Sequence, residues 1–452
     1  MKRIGRYTVI DALGRGMMAR VFLVRVPVIG RPAAAKCLMP QEPLEALMGA
    51  DFLRRGFIRE ATLLAGLDHP HICEVFDFGH HRGVPFYLMA YHGHHLGAAI
   101  GEGDRLEAPT RTLRVERAVE YIRQTLAGLA RLHEAGLVHR DIKPQNLLLA
   151  GDDRIRIADF GLAKGRGDRH RLPVQLKVGS PGYAAPEQMA DPYGVDPRAD
   201  LYATAVVLYR LITGRLPAGG PRRAGTACLS RLVPSLDPHW DRFMERALAP
   251  DPSRRFATAG QMDQALSDLA QRHRRALASA CTQVPPPAPG LDAPPRAGRR
   301  RHLPLKVRAR HARDRFALDR LWRPQRYWPG GRLRVQGQIV HDPWTDCLWQ
   351  RSGSPYPLTW SEARTYVQDL NRQGFAGRNR WRLPTVDELV TLLEPPGDRD
   401  LCIEPCFDEA QRRLWSADAK SYHSAWLVSP DLGFVAWQQV LGRAWVRAVC
   451  GP

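Results

Sequence analysis

The chain has 452 residues, 44% hydrophobic and 25% charged, too long for one compact core and outside the disordered, collagen-like and membrane classes, so two domains and a linker are expected. Its net charge of +20 would attract phosphate-rich partners, but between Arg296 and Arg326 twelve Lys or Arg face only Asp314 and Asp319, so half of the excess is local and nucleic acid is not the expected partner. Eight cysteines, a start at Met1 without the apolar core of a signal peptide, and no apolar run of membrane-spanning length lead to the expectation of a reducing, cytoplasmic setting with no transmembrane segment.

Tyr7-Thr8-Val9-Ile10, Val21-Phe22-Leu23-Val24 and Pro85-Phe86-Tyr87-Leu88-Met89 are short β-like runs separated by turn residues, which predicts a small sheet. Between the first two lies a glycine-rich turn. Its Gly14 and Gly16 let the backbone approach a polyphosphate and offer N–H donors, although by itself the segment reads equally as a plain hairpin. Lys36 ends the strand-like Ala33-Ala34-Ala35-Lys36, and Glu60 lies on the helix that follows. Phosphate charge needs a fixed cation, and a carboxylate fixes a lysine; taken singly, either residue would be a surface charge.

Val115, Val119, Ile122, Leu126, Leu129 and Leu132 recur mostly at three or four residues, so a helical lobe follows the β-rich one. Next come His139-Arg140-Asp141-Ile142-Lys143-Pro144-Gln145-Asn146, a strand over 154–158, and Asp159-Phe160-Gly161. These residue types suit phosphoryl transfer. Asp141 is a base or hydroxyl-orienting carboxylate, Asn146 a neutral oxygen ligand for a metal, and Asp159 a carboxylate able to bind magnesium that bridges phosphates.

In order and spacing, residues 7–269 resemble the Hanks-type, eukaryotic-like protein kinases of bacteria. Further matches are Gly179-Ser180-Pro181-Gly182-Tyr183-Ala184-Ala185-Pro186-Glu187, Arg198-Ala199-Asp200-Leu201-Tyr202 and Asp251-Pro252-Ser253-Arg254-Arg255-Phe256. The resemblance implies an α+β bilobal kinase fold, ATP and magnesium as cofactors, and protein substrates. It implies that Gly14, Gly16 and Ala19 cover the phosphates, that Val21 and Ala34 pack the adenine, and that Ala90, Tyr91 and His92 form the hinge. Lys36 would pair with Glu60, and Asn146 and Asp159 would hold magnesium. Asp141 would act on the substrate hydroxyl, with Lys143 marking serine/threonine specificity. Glu187 would pair with Arg255, and Ser180 would contact Asp141 and Lys143. The rival reading is a pseudokinase scaffold that binds nucleotide and presents the rest of the chain to a partner.

Three positions depart from the family pattern. Ala19 replaces a third glycine, and Ala90 replaces a hinge glutamate whose contacts to adenine run through the backbone. Residues 162–178 contain no Ser, Thr or Tyr, so no phosphorylated hydroxyl there can meet Arg140. That segment carries Lys164, Arg166, Arg169, His170, Arg171 and Lys177 against Asp168 alone, and an anionic partner is expected for it.

Prolines at 285, 286, 287, 289, 294, 295 and 304 oppose helix and central strand. The expected boundaries are 1–272 for the kinase domain, 273–326 for a Pro-rich then Arg-rich solvated linker, and 327–452 for a small, tryptophan-rich α+β domain. In that last domain Ile339 to Gln350, Trp381-Arg382-Leu383-Pro384 and Leu414-Trp415-Ser416-Ala417 resemble the bacterial Lcl-type C-terminal domain, whose members are similar to C-type lectin and formylglycine-generating-enzyme folds. Trp381, Leu383, Pro384 and Trp415 read as core and turn residues. Cys402 and Cys406, with Cys347, Cys450 and His423, read as structural rather than zinc-binding, and no cysteine constellation of a formylglycine-generating enzyme is identified. Such a fold does not dictate a function.

Overall fold

Alternating apolar residues near the N-terminus assemble one antiparallel sheet. Its strands β1 (Arg3–Ile4), β2 (Tyr7–Arg15), β3 (Ala19–Arg25), β4 (Pro32–Leu38), β5 (Val75–His81) and β6 (Val84–Ala90) lie in the order β1-β2-β3-β4-β6-β5. Successive side chains of a strand point to opposite faces. Ala33, Ala35 and Cys37 therefore join Tyr7, Phe22, Val24, Phe86 and Leu88 in a core on one face, and Ala34 and Lys36 turn to the other. Helices α1 (Glu42–Met48) and α2 (Ala50–Ala65) follow β4. The buried stripe of α2 is Leu53, Phe57, Glu60, Ala61 and Leu64, so a glutamate holds a position that helical spacing assigns to the core. Phe57 and Ala61 pack there against Ala19 and Tyr87.

This computed structural model describes residues 2–451 except 104, 152, 161–163, 166–178, 192–193, 218–227, 281–300, 398 and 400. Contacts divide it into two units, Met1–Val284 and Pro285–Pro452. In the first, β7 (His94–His95) and α3 (Leu96–Ile100) lead to α4 (Val115–Glu134), which buries the predicted stripe from Val115 to Leu132. Gly128 of α4 has no room for a side chain, because a Cβ would come within 2.8 Å of Ile157 and 2.9 Å of the His71 carbonyl. Short strands β8 (Leu137–Val138), β9 (Leu147–Leu149), β10 (Ile155–Ile157) and β11 (Lys164–Gly165) frame the motif loops. Helices α5 (Pro186–Ala190), α6 (Arg198–Thr213), α7 (Leu229–Leu232), α8 (Pro238–Ala247) and α9 (Ala259–Ala280) complete the helical lobe. α6 is buried on all sides from Ala199 to Ile212, as a central helix must be.

The second unit comprises α10 (Ala309–Arg315), β12 (Arg334–Gln336), β13 (Ile339–Asp342), β14 (Cys347–Gln350), α11 (Trp360–Arg372), α12 (Val386–Leu389), β15 (Leu414–Ala419), β16 (Ser424–Ser429), β17 (Phe434–Gln439) and β18 (Val449–Cys450). Two antiparallel sheets result, β12-β13-β14-β18 and β15-β16-β17. Capping boxes start α11 (Thr359 with Glu362) and α12 (Thr385 with Glu388), each satisfying two end N–H groups. Trp381 and Trp415 are buried, and their indole N–H groups donate to the carbonyls of Phe375 and Leu358.

The expected linker needs correction at both ends. α9 continues to Ala280, past the boundary drawn at 272. Residues 301–326 are no solvated spacer, because Val307, Ala312, Phe316 and Leu318 are buried with Trp349, Trp426 and Val428. Arg301 donates to Asp387 and to both oxygens of the fully buried Asp418 carboxylate. The density of arginines concealed four apolar positions that a core could use. The prolines at 285–295 lie outside the described residues.

Among the described residues no three His, Cys, Asp or Glu groups gather as a metal site. Cys347, Cys402, Cys406 and Cys450 are unbridged, and burial pushes the Cys402 and Cys406 thiols up to about 11.

Candidate active site

The register of the sheet aims Lys36 inward. It lies opposite Val21 on β3 and opposite Tyr87 on β6, with Ala34 two residues before it on the same face. The ammonium sits between two carboxylates, 2.8 Å from Glu60 Oε1 and 2.8 Å from Asp159 Oδ1. Burial alone would lower the Lys36 pKa, but Asp159 and Glu60 outweigh it and hold the ammonium well above its ordinary value. Lys36 in turn, by its charge and hydrogen bond, keeps the carboxyl of Asp159 down at about 2. The Glu60 side chain is almost fully buried, whereas that of Asp159 is 54% exposed.

The glycine-rich turn closes with a bond from Gly16 N–H to the Ala19 carbonyl at 2.8 Å, and a Cβ at Gly14 would meet nothing within 4 Å. Ala19 is buried. Ala90 ends β6, with its N–H on the Glu74 carbonyl at 3.1 Å, and Tyr91 and His92 are the two residues beyond it.

Below Lys36, the loop 139–146 is fixed through its backbone. Asp200 of α6 accepts from the N–H of His139 (2.9 Å) and Arg140 (2.8 Å) and contacts His133 Nε2 (2.9 Å). Arg140 and Asp159 both adopt positive φ, 66° and 63°, a conformation that needs support from its surroundings. That support includes bonds from the Ala158 N–H to the Asn146 carbonyl (2.9 Å) and between His139 Nε2 and the Ala158 carbonyl (3.1 Å). The Phe160 ring packs edge-on to His139 at 4.8 Å.

Asp141 is the focus of four donors. Oδ1 accepts from the Ser180 N–H (3.1 Å) and hydroxyl (2.8 Å); Oδ2 accepts from Asn146 Nδ2 (3.0 Å) and Lys143 Nζ (2.8 Å). Lys143 also donates to Ser180 Oγ at 2.7 Å. Asn146 gives a second bond to the Asp141 carbonyl (2.8 Å), which turns its amide oxygen away from Asp141.

Gly179, at φ 98°, places Ser180 there. A Cβ on it would collide with Gln188 Nε2 at 2.3 Å. Behind this turn, Arg255 grips both oxygens of Glu187 at 2.7 Å.

The structure thus joins Lys36, Glu60 and Asp159 by direct contact, and Asp141, Lys143 and Asn146 likewise. Val21, Ala34 and Ala90 lie on the sheet above them. Residues 161–163 and 166–178, which carry most of the basic run for which an anionic partner is expected, lie outside the described residues. Two features escaped sequence reasoning. Tyr87 donates to Glu60 Oε1 at 2.8 Å. Glu102, fully buried, accepts from Tyr183 (2.5 Å) and Gln145 (2.9 Å) and pairs with the buried Arg210 (3.2 Å). For Glu102 the sequence hint was its partner Arg210, an ionisable residue within the otherwise apolar α6; Tyr87 carried none.

The family model of the protein kinase domain matches residues 7–267, and that of the Lcl C-terminal domain matches 338–450. The serine/threonine-protein kinase PknJ of Mycobacterium tuberculosis is 36% identical over 270 residues, 56% of this chain and 44% of PknJ. PrkC of Bacillus subtilis is 31% identical over 272 residues, 58% of this chain and 40% of PrkC, and a probable serine/threonine-protein kinase of Streptomyces coelicolor is 34% identical over 274 residues, covering 57% and 39%. The chain therefore spans less than half the length of these relatives. The kinase match takes in more than half of the chain and every residue of the site described above, and the chain accordingly belongs to the protein kinase domain family.

Proposed function

We propose that this chain transfers the γ-phosphoryl group of ATP to serine or threonine hydroxyls of proteins, in the cytoplasm and as part of bacterial signalling. The observation that carries the reading is the convergence of Ser180, Lys143 and Asn146 on Asp141, with the Lys36 ammonium clasped beside Asp159. The donor set fits the cofactors. Asp159 and the Asn146 amide oxygen are hard oxygen ligands of the kind magnesium takes, Lys36 is a fixed cation, and Gly14 leaves the turn open to phosphate. When bound, magnesium would neutralise charge on the phosphates.

The chain's own residues have separable tasks in this reading. Lys36, kept protonated by its two carboxylates, orients the phosphates. Asp141 orients the attacking hydroxyl and accepts its proton, while Lys143 steadies the transferred group from the same side. The Ser180 hydroxyl, now on Asp141 Oδ1, sits where an incoming hydroxyl would compete for that oxygen. No helix among the described residues is long and apolar enough to cross a membrane. The test is incorporation of labelled phosphate from ATP and magnesium into a general protein substrate and into the chain itself. Transfer by the natural sequence that disappears in Asp141→Ala supports the proposal. Equal incorporation by both, or nucleotide binding with no transfer by either, favours the scaffold reading.

A further inference from the structure

The ion pair between Lys36 and Glu60 has a third member. Tyr87 lies directly opposite Lys36 across β4 and β6, so both side chains leave the sheet on the same face, toward α2. Its hydroxyl donates to Glu60 Oε1 at 2.8 Å, the oxygen that also receives Lys36 Nζ at 2.8 Å. The ring is 1% exposed, rests 5.1 Å from Phe57 of α2, and lies 5.7 Å from the Lys36 ammonium. One buried carboxylate oxygen thus takes a cation and a hydroxyl together, which leaves it little freedom to rotate.

We infer that Tyr87 is a positioning residue for the nucleotide's phosphates: its hydroxyl holds Glu60 against Lys36, and so sets where the Lys36 ammonium meets the phosphates. Lys36 is shared between two carboxylates of unequal security. Asp159 is half exposed, and Glu60 is buried. Without the hydroxyl, Glu60 Oε1 loses one of its two donors and its side chain gains torsional freedom, so Lys36 shifts toward Asp159. The arrangement also bears on how α2 is kept in place. Residues 162–178 contain no hydroxyl to phosphorylate, whereas Tyr87 supplies a permanent, uncharged tie between the sheet and α2.

This inference rests on the kinase reading for its meaning but not for its test. Affinity of the full chain is measured for the magnesium complex of a non-hydrolysable ATP analogue and, separately, for adenosine, in the natural sequence and in Tyr87→Phe. The variant keeps the ring and removes only the hydroxyl. Affinity for the triphosphate should fall by up to about tenfold, the typical weight of a hydrogen bond to a charged group, while adenosine binding stays the same; the melting temperature falls by a few degrees, because the same buried bond also stabilises the fold. In a Glu60→Gln background the same change should cost less than twofold, because the two residues act through one contact.

Equal losses for adenosine and triphosphate would reduce Tyr87 to a packing residue, and no loss, or a full tenfold loss persisting in Glu60→Gln, would overturn the inference as well. A natural chain that binds the triphosphate but transfers nothing defeats the kinase reading alone. One that binds no triphosphate defeats both.

Discussion

Replacing Asp200 by Asn tests how the loop 139–146 is held. The carboxylate is buried and accepts from two backbone N–H groups, with His133 Nε2 beside the oxygen that serves His139. An amide of the same shape has one acceptor oxygen, and its NH2 must face a donor. Turned toward Arg140, the NH2 strands that N–H; turned the other way, it can meet His133 through a tautomer change but still confronts the N–H of His139. A lost charge-assisted bond is worth about 1.5–3 kcal/mol and an unpaired buried donor about 1–3, so the substitution should cost about 3–5 kcal/mol of a typical total of about 5–15.

The sign with pH follows from the carboxyl. Burial raises the Asp200 pKa, but the hydrogen bond and charge of His133 with those of His139 outweigh it, so the folded value lies below 3.8. Its stabilisation is therefore present above the unfolded pKa, near about 3.9, and is lost as pH falls through the lower folded value. Urea unfolding, followed by hydrogen exchange of the 139–141 amides, should show the full deficit at pH 7 and a shrinking one below about pH 4. A deficit under about 0.5 kcal/mol at pH 7, the range of an ordinary surface change, with unchanged exchange, would refute the reasoning.

Lys36→Ala and Asp159→Ala should each reduce phosphoryl transfer by about a hundredfold or more, read by labelled-phosphate incorporation. Only Lys36→Ala should also destabilise the fold, by about 3–5 kcal/mol, since it leaves the buried Glu60 without its cation; equal melting temperatures for the two variants would contradict this. Phosphatase treatment should leave activity nearly unchanged, because residues 162–178 contain no hydroxyl and Ser180 is engaged with Asp141 and Lys143. Mass spectrometry that ties activity to a phosphate on Ser180 or Tyr183 would show otherwise. A fragment of residues 285–452 should unfold cooperatively, whereas one starting at 327 should not, since it lacks Val307, Ala312, Phe316 and Leu318 of the core; cooperative melting of the shorter piece would count against that role.

The contacts most accessible to sequence reasoning were those whose partners each sit in a short motif. Lys36 and Glu60 announce a strand lysine and a helix glutamate, and Asp141, Lys143 and Asn146 fall within six residues of one another. Tyr87 gave no such sign, because an aromatic in Pro85-Phe86-Tyr87-Leu88-Met89 is ordinary for a strand. Its role depends on the β4–β6 register and on which face of α2 turns inward, neither of which local spacing fixes. Glu102 was hidden for a similar reason, since it meets Tyr183 and Arg210 across 81 and 108 positions of chain. In the segment 301–326 the density of charge masks the apolar pattern. A run can be rich in arginine and still insert Val307, Ala312, Phe316 and Leu318 into a core.

The clasp on Lys36 also determines how its surroundings meet reactive chemicals. An ordinary lysine at neutral pH offers about one free amine in a few thousand, and two carboxylates push that share lower still. Its neighbour Cys37 and Cys73, whose thiol lies on the Ala90 carbonyl, are buried, with thiols pushed up to about 12, so the attacking thiolate is all but absent at both. Acylating agents and Michael acceptors free in solution should therefore react slowly with these three side chains. Peroxide should likewise oxidise the two buried thiols more slowly than it would an exposed thiol of low pKa at the same place.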